Sequence, residues 1–196
     1  MKPSHKNNKD QLLQTLGIFR TSDAIAAGIS QPTLSRLTAS GKITRLEHGL
    51  YIHPQANFDQ SELDFAVACA KFGPDSLIGG ISALFRHKLI SQVPNQIWLV
   101  VPTSTKSTNP LYRCIRTKNS PTIGIEDHGI YRITNIERSL IEAFQFSTKI
   151  GLEIAISAAR FAIHHGLTTD KKIQAMGKLL GRMKAFTKHW EAVVAE

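Results

Sequence analysis

The residues of this chain best suited to chemistry lie between Gln31 and His48. The segment QPTLSRLTA (31–39) reads as a helix that presents an amide, two hydroxyls and a guanidinium. A guanidinium such as that of Arg36 can donate two parallel N–H bonds to the O6 and N7 of guanine, and the Gln31 amide can match an adenine in the same way. Thr33 and Ser35 carry short hydroxyls suited to phosphate oxygens, which fix position rather than specify sequence. Lys42, Arg45 and His48 follow in a hairpin pattern and would grip the flanking backbone. The candidate DNA-binding set is therefore Gln31, Thr33, Ser35, Arg36, Lys42, Arg45 and His48. The same elements also suit a winged helix that serves only as scaffold for protein contacts, and that alternative stays open.

Other chemistries find little support. No two of the eight histidines stand at H-x₃-H spacing, and neither Cys69 nor Cys114 lies beside one, so no metal site is expected. His164-His165 precedes Gly166 at the end of a helical pattern, where a positive imidazole suits the helix dipole. Metal-dependent nuclease or nucleotidyltransferase chemistry needs clustered carboxylates. The candidates are Asp59, Glu62, Asp64, Asp75, Glu126, Asp127, Glu137 and Glu142; Asp59, Glu62 and Asp64 group at a helix start and Glu126-Asp127 lies beside a glycine turn, and neither group has a following lysine at nuclease spacing. No P-loop, G-x-S-x-G or G-x-G-x-x-G motif occurs. The expectation is a protein with no catalytic residues and no cofactor, not an enzyme.

The elements that must position the candidate set begin with a helix from about Lys9 to Leu16, striped with Leu12, Leu13 and Leu16. Phe19 falls in a short connection. Thr21 or Ser22 caps a second helix that Gly28 closes. Ser30 caps the third helix, Pro32 sits near its start, and Leu34 and Leu37 face the core. Strands from Ile43 to Glu47 and from Leu50 to His53 meet at His48-Gly49. Ile43 and Leu46 break strict alternation and leave the register open. Three short helices and a hairpin are the layout of a winged helix-turn-helix.

A linker is expected over His53–Gln60. Beyond it the pattern turns to mixed helix and strand. Helices are expected at Ser61–Phe72, Ile81–His87, Asn135–Phe144, Leu152–His164 and Lys171–Lys184, with a last one toward Val194. Strands are expected at Ser76–Ile78, Gln96–Val101, Tyr112–Thr117 and Gly129–Thr134, with Gly79-Gly80 as a tight turn and Thr103–Pro110 as a mobile polar loop. The expected fold class is α/β (α+β): a winged helix-turn-helix over 1–54 and a domain over 60–196 with a small mixed sheet flanked by helices.

The charge is +9, carried mainly at the two ends. Residues 1–57 hold seven Lys/Arg against three Asp/Glu, residues 149–196 hold eight against four, and the middle is nearly balanced. Basic patches attract phosphate backbones and make binding salt-dependent. Lys171, Lys172, Lys178, Arg182, Lys184 and Lys188 recur at helical spacing opposite Ile173, Met176, Leu179 and Leu180. That pattern fits a solvated amphipathic face as well as a second surface for DNA or an acidic partner. Hydrophobic residues make up 42%, enough for a packed core. The apolar runs are too short to span a bilayer, the N-terminus lacks a signal-peptide pattern, and two unpaired cysteines suit a cytoplasmic protein.

The segment GISQPTLSRLTASGKITRLEHGLY (28–51) resembles the winged helix-turn-helix of AbiEi-type antitoxins, the transcriptional regulators of type IV toxin–antitoxin systems. The shared features are the L-x-R-L of Leu34, Arg36 and Leu37, then Gly41 and Arg45, and the G-x-Y of Gly49 and Tyr51. IGGISALFRHKLI (78–90) and ITNIERSLIEAF (133–144) are similar to later family segments, the second through Glu137, Arg138, Leu140, Glu142 and Ala143. The resemblance implies a repressor that binds inverted repeats upstream of its own operon. It also implies a C-terminal domain that opposes a nucleotidyltransferase-like toxin without a tight complex. Glu137 and Arg138 read more simply as a structural ion pair, with Ser139 on the helix surface. A single winged helix reads few base pairs, so a monomer or weak dimer would need two copies on double-stranded DNA.

Overall fold

A computed structural model of the chain describes residues 5–56 and 62–194. It divides into two compact units, one ending at Gly73 and one beginning at Pro74. In the first, α1 (His5–Leu16) leads into β1 (Ile18–Arg20), α2 (Thr21–Ala26) and α3 (Gln31–Ala39), then the hairpin β2 (Thr44–Glu47) and β3 (Leu50–Ile52). The stretch around Phe19, expected as a connection, is a strand: β1 pairs antiparallel with β3, giving the order β1-β3-β2. Three residues carry too little alternation to signal a strand, and only the partner at Leu50–Ile52 defines it. Phe19 and Tyr51 stack with ring centroids 5.8 Å apart. Around them Leu13, Ala24, Ile29, Leu34 and Ile43 are buried. The broken alternation of the hairpin has a cause, since the β2–β3 register shifts between Arg45 and Glu47, a bulge at Leu46. This arrangement of helices, small sheet and hairpin is a winged helix-turn-helix.

The first unit also contains α4 (Leu63–Phe72), the helix expected to open the second domain. Part of the expected linker, residues 57–61, lies outside the described residues, as do the candidate carboxylate Asp59 and the helix start expected at Ser61. α4 packs on β1 and buries Ala66 and Ala68. Arg20 Nε donates to the Ala70 carbonyl near its C-terminal end, and Lys71 forms an ion pair with Glu47 of β2. α4, with its small-residue face on β1, thus belongs to the compact unit that ends at Gly73.

The second unit is built on a five-stranded sheet of order β6-β5-β4-β8-β7. Its strands are β4 (Leu77–Ile78), β5 (Ile97–Pro102), β6 (Tyr112–Thr117), β7 (Ile125–Asp127) and β8 (Arg132–Thr134). β5 runs parallel to β6 and β4 parallel to β8, while β4–β5 and β7–β8 are antiparallel. β7 was not expected, since Ile-Glu-Asp carries no apolar pattern; its pairing with β8 makes it a strand. Gly79-Gly80, expected as a tight turn, instead starts α5 (Gly80–Arg86). A Cβ on Gly79 would lie 2.3 Å from Val100 Cγ2, so the backbone rests directly on β5.

The helices of this unit centre on α6 (Ile136–Gln145), which packs against α5, α8 (Leu152–His164), α9 (Asp170–Leu179) and α10 (Met183–Thr187). The short α7 (Ser147–Ile150) and α11 (Trp190–Val194) complete the set. Asn135 caps α6 as expected, accepting 2.9 Å from the Arg138 backbone N–H. Residues 138–144 are all buried. Ser139, expected on the surface, is therefore in the core, bonded to the Thr134 hydroxyl and carbonyl. The helix expected over Lys171–Lys184 breaks after Leu179. A Cβ on Gly177 would meet Met183 Sδ at 2.6 Å, so the chain turns back on itself there. Leu179, the last residue of α9, is 66% exposed rather than in the apolar stripe.

Candidate nucleic-acid interface

α3 owes its one-sidedness to Leu34, fully buried, and Leu37, partly buried, on the face that packs against the core. The opposite face exposes Gln31, Pro32, Ser35 and Arg36, with Thr33 half-buried at its edge. Pro32 lies in the first turn, where its missing N–H costs no intrahelical bond. Ser30 occupies the N-cap position, yet its hydroxyl pairs with the Thr33 hydroxyl at 2.9 Å instead of capping a backbone N–H. Arg36 Nη2 donates to the same Thr33 hydroxyl at 3.4 Å. Thr33 thus links the helix start to the guanidinium one turn later, and the weak Arg36 contact leaves the rest of its donor fork open. Gln31, Ser35 and Lys42 are exposed and make no side-chain bond among the described residues.

The wing forms a second group. Arg45 Nη2 donates to His48 Nδ1 at 2.8 Å and its Nε to the Glu47 carbonyl at 3.2 Å, so Arg45 folds back over the turn. Because a guanidinium only donates, His48 Nδ1 is the acceptor in this bond. The turn is anchored to the body by the Thr21 N–H, which donates to the Gly49 carbonyl at 2.9 Å. No hydrogen bond joins this pair to Thr33 and Arg36 among the described residues. Entry to α2 differs from the expectation of a Thr21 or Ser22 cap: the Asp23 carboxylate accepts 2.8 Å from the Arg20 N–H. Sequence reasoning missed one electrostatic feature. Glu47, the acid of the wing, is neutralised by Lys71 from α4, a partner 24 residues away that no local pattern reveals.

In the second unit the segment around Glu137 and Arg138 is structural. Arg138 is fully buried and its ion pair is with Glu142, Nε to Oε1 at 3.0 Å, not with Glu137. Its Nη1 donates to the Ser120 and Ile123 carbonyls at 2.6 and 2.5 Å. Glu137 instead accepts from the Thr168 hydroxyl at 2.6 Å. Asn119 donates to Glu142 at 2.9 Å and to Gln145 at 3.1 Å, and accepts from Arg182 at 3.1 Å. Burial holds the Glu142 carboxyl above its ordinary range, even though Arg138, Asn119 and Arg182 pull it down. Burial also pushes the Cys114 thiol up, with Arg116 opposing. Glu126 meets His128 at 3.7 Å, and no group of three metal-ligating side chains occurs among the described residues. No described helix is long and apolar enough to cross a membrane.

Residues 10–53 match the family model of the AbiEi antitoxin transcriptional regulators. The match covers α1 from Asp10 through the hairpin and ends before α4. The later segments that resemble the family, 78–90 and 133–144, lie outside it. No curated protein matches the chain.

Proposed function

We propose that this protein is a DNA-binding transcriptional autoregulator and antitoxin, which represses its own operon and counteracts a nucleotidyltransferase-like toxin encoded beside it. The observation that carries the reading is a coincidence of boundaries: the segment matching a transcriptional-regulator family is the winged helix whose third helix presents Gln31, Ser35 and Arg36 to solvent. Winged helices of this layout insert that helix into the major groove, with residues near its N-terminus at base edges. In this reading Gln31 and Arg36 contact bases, Thr33 and Ser35 hold phosphates at the groove edge, and Lys42, Arg45 and His48 hold the flanking backbone. The Lys71–Glu47 pair favours this role, because it cancels the acid nearest the wing. Repression follows from occlusion of the promoter. The protein acts without a cofactor or catalytic step, in the cytoplasm.

A second reading makes the C-terminal unit a protein-interaction module and the winged helix its scaffold. The exposed Leu179 and the exposed Lys171, Lys172 and Lys178 of the same helix favour it, since a basic helix with an exposed apolar side chain suits an acidic partner. Fluorescence anisotropy with the protein's own upstream DNA and a shuffled control, over several salt concentrations, separates the readings. Much tighter binding to the upstream DNA at physiological salt supports the regulator. Equal, steeply salt-sensitive binding to both duplexes refutes it.

A further inference from the structure

Glu47 is the only acidic residue between Gly28 and Ile52, the segment that holds α3 and the hairpin. It stands one residue before His48 and two after Arg45, so its charge opposes the cations of the wing. In a regular strand Arg45 and Glu47 would share a face, since side chains alternate with period two. The bulge at Leu46 breaks that alternation and re-aims the two side chains. Arg45 stays exposed and reaches His48, while Glu47 is half-buried and reaches Lys71 of α4. The Glu47 carbonyl meanwhile accepts from Arg45 Nε at 3.2 Å. One residue therefore joins α4 to the wing: its carboxylate is held by Lys71 and its carbonyl holds Arg45.

The last turn of α4 is fixed at both edges of the small sheet. The strand order β1-β3-β2 puts Arg20 on one edge and Glu47 on the other. Arg20 Nε donates to the Ala70 carbonyl, and a Cβ on Gly73 would lie 3.2 Å from Arg20 Nη2. Ala70 and Lys71 are adjacent, so this turn reaches from β1 to β2. The Lys71 and Glu47 side chains are 29% and 27% exposed. Ion pairs this open to solvent contribute little to stability. The consequence of this one lies in where it holds the acid.

We propose that Lys71 is a positioning residue of the DNA interface. It draws the Glu47 carboxylate back onto α4 and leaves Arg45 as the dominant charge that the wing offers to phosphates. The DNA-binding unit then extends past the family-matched segment, which ends at residue 53, to the end of α4. This role rests on the wing meeting DNA, as the regulator reading holds, but not on sequence specificity.

The test is fluorescence anisotropy of the full chain with the upstream and shuffled duplexes over several salt concentrations. Lys71→Met unmasks Glu47 and should weaken both duplexes about threefold at low salt, the effect of one unit charge on a phosphate roughly 6 Å away in water. Glu47→Gln removes the acid and should tighten both by about the same factor. Lys71→Met/Glu47→Gln should return to the wild-type affinity, and Lys71→Arg should keep it. All these differences shrink as salt rises. Lys118→Met removes one exposed cation from the other unit, as a control for net charge, and should leave both affinities near wild type. Circular dichroism checks the fold of each variant. Weaker binding by Glu47→Gln overturns the proposal, because it is what a purely structural ion pair gives. A double variant as weak as Lys71→Met, or an equal loss with Lys118→Met, also overturns it. Discrimination between the duplexes tests the regulator reading separately: wild-type protein that binds both equally refutes that reading, while the Lys71 and Glu47 pattern still decides this one. Absence of binding to either duplex overturns both.

Discussion

Replacing Arg138 by Met removes the cation from the most buried ion pair described in this chain and leaves the Glu142 carboxylate with only Asn119 as hydrogen-bond partner. Three donated bonds disappear, to Glu142 and to the Ser120 and Ile123 carbonyls. Breaking such a pair from one side costs about 3–5 kcal/mol, because the surviving charge stays buried and uncompensated. Against a domain stability of roughly 5–15 kcal/mol this is a large fraction. The penalty depends on pH in a definite direction. Burial already raises the Glu142 pKa above its unfolded value of 4.5, and Arg138 is the largest opposing influence. Without Arg138 the folded-state value rises further. Below the unfolded value Glu142 is protonated in both states and no charge is buried. Above it the unfolded chain releases the proton while the folded chain retains it, so stability falls with rising pH until the folded-state value is passed, at up to about 1.4 kcal/mol per unit. The gap between variant and wild type therefore widens as pH rises from the wild-type folded-state value toward the variant's higher one. Urea unfolding followed by tryptophan fluorescence reads this unit selectively, since both tryptophans, at 98 and 190, lie in it. The double variant Arg138→Met/Glu142→Leu should recover most of the loss and flatten the pH dependence, because Asn119 keeps Gln145 as acceptor. A single variant within about 1 kcal/mol of wild type, or a penalty independent of pH, would refute the reasoning.

Further expectations concern both units. Arg36→Ala should cost about 1–3 kcal/mol on the upstream DNA and little on shuffled DNA, measured by anisotropy; equal losses on both would remove its base-reading role. Arg45→Ala should weaken both duplexes alike and lower the salt slope by about 1, as a phosphate contact does. Leu34→Ala should destabilise the winged helix by about 2–5 kcal/mol and abolish DNA binding on warming, seen as an earlier thermal transition; an unchanged transition would place Leu34 outside the core. Gly80→Ala should destabilise the C-terminal unit, since φ is +53° and the new Cβ would lie 2.8 Å from Trp98 Cε3; wild-type fluorescence and urea midpoint would contradict that packing.

The sequence alone determined the elements whose signals are local. Apolar spacing at Leu34 and Leu37, glycines at helix ends and the His48-Gly49 turn are properties of a few neighbouring residues, and they marked the winged helix. The matched segment and its resemblance rest on those same residues. The long runs at β5 and α8 were equally legible, because their apolar pattern extends over enough residues to exceed local noise. Tertiary structure alone decided what depends on distant partners. β1 and β7 are three residues each and exist as strands only through β3 and β8. α4 joined the first unit because Arg20 and Glu47 supply partners for its end. Arg138 chose Glu142 over its neighbour Glu137, since only the i+4 acid shares its buried face of α6, while Glu137 turns to Thr168.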